Sequence, residues 1–266
     1  MNIIVCVKQV PATNEVKMNK ETNTIIREGV EGVVNPFDSY AIEEGVRLKE
    51  KYGGKSIVIS MGIPSVADTL REAIAVGIDE AALLSDRTFA GSDTLATAYA
   101  LSRGIKTLGG FDLIICGKQA TDGDTAQVGP SVAEKLGIPH TTYVKKIESI
   151  EDGRIKCQRM TDNGYEIITM PLPAVITVVK EINEPRLPSI KGMMRAKKAI
   201  IKTLTAKDID ADPSLCGLAG SPTSVVKTFV PEHNVDSEMI TGTTEEQASA
   251  LLERIKKLTT GGDANE

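Results

Sequence analysis

Short apolar runs, each followed by a segment of helical period, fill the first half of the 266-residue chain and limit the folds open to it. Asn2–Lys8 (NIIVCVK) is continuous rather than alternating and rich in β-branched residues, the pattern of a strand covered on both faces. Ser56–Met61, Ala81–Ser85 and Asp112–Gly117 repeat it. Between them lie Ser39–Tyr52, then Pro64–Val76, where Val66, Leu70 and Ile74 recur every four residues, then Asp93–Leu108. Pro64 stands where a helix can begin, Gly53-Gly54 and Gly77 where helices end, and Asp93 can cap the helix it opens. Strand alternating with helix predicts an α/β domain around a parallel sheet.

After Pro139 the pattern changes. Thr141–Ile150, Arg154–Met160, Tyr165–Met170 and Ala174–Val179 read as strands, with the hairpin dipeptides Asp152-Gly153 and Asn163-Gly164 among them. They predict an antiparallel meander over 139–180 that extends the sheet. Residues 181–199 combine two prolines, a glycine and five basic residues, and read as an exposed loop followed by a short basic helix. From Pro213 to Thr244 the chain is rich in Ser, Thr, Pro and Gly, and it ends in the amphipathic segment Glu245–Leu258. So long an irregular stretch is out of place inside a compact domain and reads as an arm reaching something else. The expected organisation is one domain over 1–212, holding the meander and the 181–199 loop, and an arm with its helix over 213–266.

Composition removes several function classes. A chain this long buries roughly 70–75% of its unfolded surface and needs neither disulfides nor metals to hold a core. Lys and Arg number 31 against 36 Asp and Glu, a net charge of -5, so no uniform basic field is present to hold nucleic acid. Cys6, Cys116, Cys157 and Cys216 are far apart and the histidines are His140 and His233, so no metal-ligand spacing occurs. No window approaches 18 uninterrupted apolar residues, so no membrane span is expected. Met1–Val10 has no basic leader and reads as a buried first strand; the expected setting is cytoplasmic and reducing.

In a doubly wound sheet, ligands sit beyond the carboxyl ends of the strands. The loop after Asp112–Gly117 runs from Lys118 to Gly129, is polar and glycine-bearing, and leads into a helix over Pro130–Leu136. Either it is an Asx-turn before a helix, or its backbone amides, Thr125 and Gln127 take a phosphate at the helix N-terminus. Asp122 and Asp124 either bind ribose hydroxyls or cap the turn. Asn35-Pro36-Phe37-Asp38 and Gly91-Ser92-Asp93-Thr94 are polar helix starts that either face the same crevice or only cap. Cys116 reads as buried and inert, and His140 as a turn residue. No G-x-G-x-x-G, complete P-loop, G-x-S-x-G or H-E-x-x-H occurs, so neither the common dinucleotide fingerprint nor hydrolase chemistry has support.

Six ordered pieces resemble the β subunit of electron-transfer flavoproteins over nearly the whole chain. They are Val5-Cys6-Val7-Lys8-Gln9-Val10, Asn35-Pro36-Phe37-Asp38 leading to Ala41-Ile42-Glu43-Glu44, Ser60-Met61-Gly62, Gly117-Lys118-Gln119-Ala120, Asn183-Glu184-Pro185-Arg186 and Arg195-Ala196-Lys197-Lys198. The resemblance implies an adenine nucleotide alpha-hydrolase-like fold and a heterodimer with an α subunit that holds the main FAD and against which the carboxy-terminal arm packs through Leu251, Leu252, Ile255 and Leu258. It implies a nucleotide in the crevice of this subunit, AMP in the housekeeping type and a second FAD in the bifurcating type. Carried over by motif, the contacts are Cys6, Asn35, Asp38, Met61, Ala120, Asp122, Gly123, Thr125, Ala126, Gln127 and Val128. The AMP type has a further aspartate and then Asn-Gln-Thr in this loop; Gly123 and Ala126 instead match the bifurcating type and clear room and charge for a diphosphate and flavin. That type implies NADH as hydride donor, with one electron passing to ferredoxin or flavodoxin and one through the α-subunit flavin to an acyl-CoA dehydrogenase. The recognition segment would be Leu187, Ile190, Lys191, Arg195, Lys197 and Lys198, with Ile190 as the apolar anchor. The rival reading is a non-redox ATP or AMP module resembling stress proteins, which accounts for residues 1–140 but not for the meander or the arm.

Overall fold

The computed structural model describes residues 1–12, 18–19, 24–25, 32–226 and 237–260. They belong to two compact units, Met1–Val226 and Lys227–Glu266. The first unit begins with β1 (Asn2–Cys6), two small ladders, β2 (Gln9–Pro11) with β5 (Gly32–Val34) and β3 (Met18–Asn19) with β4 (Thr24–Ile25), and α1 (Pro36–Tyr52). Then come β6 (Lys55–Met61), α2 (Val66–Val76), β7 (Glu80–Leu84), α3 (Thr94–Leu108), β8 (Leu113–Gly117) and α4 (Val128–Leu136). The second half adds β9 (His140–Glu151), β10 (Arg154–Thr161), β11 (Gly164–Pro171), β12 (Ala174–Val178), α5 (Ile190–Lys198) and β13 (Lys202–Leu204). Nine strands form one mostly parallel sheet in the order β11-β10-β9-β12-β8-β1-β6-β7-β13.

The continuity of the apolar runs follows from burial on both sides. In β1, Ile3 and Val5 enter the core under α1 and α2, while Ile4 and Cys6 enter the one under α3 and α4. Helix punctuation follows the expected residues: Gly53 and Gly77 end α1 and α2, and Asp93 caps α3 by accepting from Leu95 N–H and Ala96 N–H. Two helices start earlier than expected, α1 at Pro36 and α4 at Val128. The strands β1, β6 and β7 are laid outward in one direction, and β8 is then added on the other side of β1. That reversal opens a crevice beyond the carboxyl ends of β1 and β8.

The meander needs one correction. Only β9, β10 and β11 are antiparallel; Ala174–Val178 is β12, which inserts between β9 and β8 and pairs in parallel with both. Its five residues are all buried, the signature of a parallel core strand. A register break opposite Thr177, with Tyr143 at φ 58°, bends β9 between its partners β12 and β10. Strand β13 pairs in parallel with β7 at the far edge and was not expected. Its three residues carry too little pattern to be read.

The 181–199 segment is an irregular stretch leading to α5, and charges fasten it to α1 and α2. Arg186 grips the buried Glu43 through its backbone N–H, Nε and Nη2 and reaches Glu50 through Nη1 and Nη2; Arg47 holds Glu43 from the other side. Asn183 donates to Tyr40 C=O at 3.0 Å and to Glu44 Oε2 at 2.9 Å. Further along, Arg195 Nη2 donates to Ile74 C=O and Ile78 C=O at 2.7 and 2.8 Å, joining α5 to the end of α2.

The first unit extends to Val226, so residues 213–226 pack with it; residues 227–236, expected within the arm, lie outside the described residues. In the second unit α6 (Thr244–Thr260) opens with a capping box. Thr243 N–H donates to Glu246 Oε2 at 2.8 Å and Glu246 N–H to Thr243 Oγ1 at 3.4 Å. Its Leu251, Leu252, Ile255 and Leu258 are exposed.

Replacing Arg186 by Ala leaves Glu43 buried with Arg47 alone. Urea unfolding is expected to show a loss on the order of 3 kcal/mol, with Arg186→Lys restoring only part because it cannot span both carboxylates.

Candidate functional site

A cavity of about 630 Å³ fills the crevice beyond β1 and β8, within the range of roughly 300–1,000 Å³ typical of cofactor sites. Its rim begins with Lys8, held through both backbone groups. Lys8 N–H donates to Asp38 Oδ2 at 2.7 Å, and Lys8 C=O accepts from Asn35 N–H at 2.9 Å. Asn35 occupies the N-cap position of α1, yet its side chain caps nothing. It reaches across to the loop after β8, donating to Gln119 C=O at 2.8 Å and accepting from Thr121 N–H at 3.1 Å. Asp38 joins the same loop through the Gly117 N–H. A Cβ on Gly117 would lie 2.2 Å from Asp38 Oδ1, so glycine is required for this approach.

Asp38 is buried, and desolvation pushes its carboxyl up to about 7 despite the hydrogen bonds from Lys8, Asn35 and Gly117. The cavity floor thus carries less than a full negative charge at neutral pH. The thiols of Cys6 and Cys116, on in-register neighbours of β1 and β8, also line it. Their mutual hydrogen bond, then burial, hold the Cys116 thiol well above the usual range, so it supplies no thiolate.

The loop from Gln119 to Gln127 forms the opposite lip. Its first part is a tight turn, with Gly123 N–H and Asp124 N–H both donating to Ala120 C=O and Gln119 donating to Asp124. Asp124 and Ala126 then stand at φ 51° and 54°, a conformation that costs a residue other than glycine about 1–2 kcal/mol. Alternation of this kind turns successive amides toward one concavity, the geometry of an anion nest. Gln127 gives α4 no side-chain cap, and Val128 and Gly129 of its first turn line the cavity. The donors and the dipole suit a phosphate. The room suits a nucleotide, and the mixed wall of Met61, Phe89, Leu101 and Val128 suits its flat rings.

The structure brings Cys6, Asn35, Asp38, Met61, Ala120, Gly123, Thr125, Ala126, Gln127 and Val128 to this one cavity. Asp122 is placed differently: its Oδ1 lies 2.6 Å from Lys8 Nζ in an ion pair across the lip. Sequence reasoning passed over Lys118, whose ammonium sits 5.0 Å from the Tyr143 ring and 5.8 Å from the Phe37 ring. It left Gly91–Thr94 open between the crevice and a cap; the structure places this loop in a second wall, with Thr97 and Thr223, which sequence reasoning did not name. Of the recognition residues, Leu187 and Ile190 are 88% and 77% exposed, with Lys191, Lys197 and Lys198 exposed beside them, while the Arg195 guanidinium is turned against α2. His140 is exposed at the start of β9.

The electron transfer flavoprotein domain matches residues 22–209. The chain belongs to the electron transfer flavoprotein family, among its β subunits. It is 51% identical to an electron transfer flavoprotein subunit beta of Thermoanaerobacterium thermosaccharolyticum, covering 96% of this chain and 98% of that one. It is 45% identical to the corresponding subunit of Clostridium acetobutylicum, over 97% and 98% of the two chains. It is 47% identical to the caffeyl-CoA reductase-Etf complex subunit CarD of Acetobacterium woodii, again over 97% and 98%. The family implies flavin-linked electron transfer and an α-subunit partner, and it sets aside the stress-protein-like reading. No helix among the described residues is long and apolar enough to cross a membrane.

Asp38 gives a pH signature. Its folded value lies above the ordinary 3.8, so between about pH 4 and 7 the folded chain keeps a proton that the unfolded chain has lost. The stability it contributes is complete below pH 3.8 and declines as pH rises to about 7. The stability difference between the native protein and Asp38→Asn is expected to shrink by roughly 3–4 kcal/mol over that interval, read by urea unfolding at pH 4, 5.5 and 7.

Proposed function

We propose that this β subunit binds FAD in the β1/β8 cavity and works, paired with its α subunit, in bifurcating electrons from NADH to an acyl-CoA dehydrogenase and to ferredoxin or flavodoxin. The observation that carries the reading is the build of the lip at Gly123 and Ala126. Gly123 has no left-handed backbone and a Cβ there would meet nothing within 4 Å, so neither strain nor crowding calls for glycine. What glycine supplies is room at the cavity mouth. Ala126 sits in the left-handed region, where Asn or Gly would cost less, so a small apolar residue is kept against the backbone's preference. Both positions favour a ligand longer than AMP passing between them. The name of the Acetobacterium relative, a caffeyl-CoA reductase-Etf complex subunit, supports an acyl-CoA-reducing partner.

When bound, the flavin supplies the hydride acceptance and the one-electron delivery. The chain's own residues hold and surround it. Amides of the 125–129 stretch face the phosphates, Asn35 and Asp38 keep the two lips at fixed spacing, and a protonated Asp38 lowers the repulsion a diphosphate meets. Cys6, Met61 and Leu101 keep water from the rings. Ile190 and Leu187, fixed on an α5 that is clamped to α1 and α2, present an exposed anchor with Lys191, Lys197 and Lys198 around it, suited to steering an acidic partner.

The purified heterodimer is expected to release two FAD on denaturation, and one FAD with one AMP would overturn the FAD assignment. Gly123→Asp returns a carboxylate to the mouth and is expected to weaken FAD binding here by about tenfold while sparing AMP. Ile190→Ala is expected to raise the KM for the dehydrogenase by about tenfold with flavin content unchanged; unaltered transfer would remove the anchor role.

A further inference from the structure

The cavity has a second wall that the loops after β1 and β8 do not build. It is formed by Phe89 and the Gly91–Thr94 loop together with Thr223, which arrives from the end of the first unit. Cys216 starts this returning segment, 1% exposed in the core under α3. From there the chain runs along the Ala90–Asp93 loop and is fastened to it repeatedly. Gly217 N–H donates to Ser92 Oγ at 3.1 Å, Leu218 N–H to Ala90 C=O at 3.2 Å, and Asp93 N–H to Ser221 Oγ at 2.8 Å. Gly91, at φ 75°, is needed twice over, because a Cβ would also lie 2.6 Å from the Leu218 side chain.

The last fastening differs in kind. Asp93 divides its carboxylate between two duties. Oδ1 accepts Leu95 N–H at 2.9 Å and Ala96 N–H at 3.1 Å, capping α3, while Oδ2 accepts Thr223 N–H at 3.1 Å and Thr223 Oγ1–H at 2.9 Å. The earlier bonds join neutral groups, whereas these two end on a charge and are correspondingly stronger. Beyond them Val225 and Val226 are 83% and 95% exposed. Thr223 is therefore both a lining residue and the point at which the wall is tied.

We infer that Cys216–Thr223 is a strap closed by an Asp93–Thr223 latch, and that the latch sets how slowly a nucleotide leaves the cavity. The inference rests on the cavity being a nucleotide site, as proposed above. Asp93 and Thr223 act here as positioning residues, through the strap. Opening this wall means breaking two hydrogen bonds to a carboxylate that must stay in place to cap α3. Lateral exit of a ligand is thereby tied to the order of α3's first turn.

The test follows nucleotide release from the purified heterodimer after dilution, by filtration and chromatography of the free nucleotide. Thr223→Val, which keeps the shape and the backbone bond but loses the hydroxyl, is expected to release about tenfold faster, the scale of one hydrogen bond to a charged group. Thr223→Ser is expected to stay near the native rate. Asp93→Asn keeps an oxygen for the helix cap but replaces the oxygen that accepts both Thr223 bonds, and is expected to release faster than Thr223→Val. The double variant is expected to be no faster than Asp93→Asn alone, since that change already removes the bond that Thr223→Val removes. Amide hydrogen exchange at 221–223, followed after nucleotide is stripped, is expected to quicken in the Val and Asn variants. Unchanged release in Thr223→Val, or accelerations that multiply in the double variant, would overturn the latch while leaving the site intact. A native heterodimer carrying no nucleotide in this subunit would overturn the site and the latch together.

Discussion

The junction of Lys8, Asn35 and Asp38 is the constraint on which the rest of the site depends. In a doubly wound sheet the loops after neighbouring central strands diverge, and nothing in the sheet itself sets their separation. Here the separation is set by two side chains at the start of α1. Asn35 holds Lys8 C=O with its backbone and the 119–121 loop with its amide; Asp38 holds Lys8 N–H and Gly117 N–H with its carboxyl. Both spend on neighbouring loops the hydrogen bonds that a helix cap would otherwise take. The first turn of α1 is thereby a spacer, and the cavity is the gap it maintains.

Helix α1 carries three buried carboxylates, and their surroundings send them in different directions. Glu43 meets burial with two guanidiniums, Arg186 and Arg47, and stays below the ordinary range. Glu44 is also buried, has the Asn183 amide as its direct partner among the described residues, and burial raises it. Asp38 is raised furthest, because neutral donors do not offset complete desolvation. The division matches position. The fully charged group fixes the 181–199 segment to the body, and the group of lowest charge faces the cavity, where the proposed ligand would bring anionic phosphate.

Much of this was legible in the sequence, and the failures share one cause. The two-sided burial of β1, β6, β7 and β8 left continuous apolar runs, and Asp93, Gly53 and Gly77 marked helix ends because capping is local chemistry. The lip from Gly123 to Val128 could be read because amides, small residues and a helix start are adjacent in the chain. What could not be read depends on contacts between distant segments. Ala174–Val178 was taken into the meander on proximity, although its unbroken apolar run suits a parallel core strand. The ion pair of Asp122 is not legible because its partner, Lys8, lies 114 residues away. Thr223 is not legible in the second wall because Asp93 has a sufficient local role as a cap, while its other oxygen serves this threonine 130 residues later.

The apolar residues that the chain leaves uncovered also differ in kind, and the difference bears on how a β subunit divides its partners. Leu187 and Ile190 form a small exposed pair at the start of α5, in a segment that Arg186 ties to α1 and Arg195 to α2, with exposed lysines at 191, 197 and 198 along the same helix. As the proposed anchor, a pair of that size would offer a few kcal/mol at most, so its rigidity and the neighbouring charges would favour rapid, reversible docking over a permanent contact. Helix α6 instead carries Leu251, Leu252, Ile255 and Leu258 as a stripe at helical spacing behind a complete capping box. Such a stripe left to water is costly even on a helix built largely of strong helix formers, and it gains most from a partner that stays. A durable α-subunit contact at the carboxy-terminal unit and a fleeting one at α5 would let a single chain hold its heterodimer together while exchanging electrons with others.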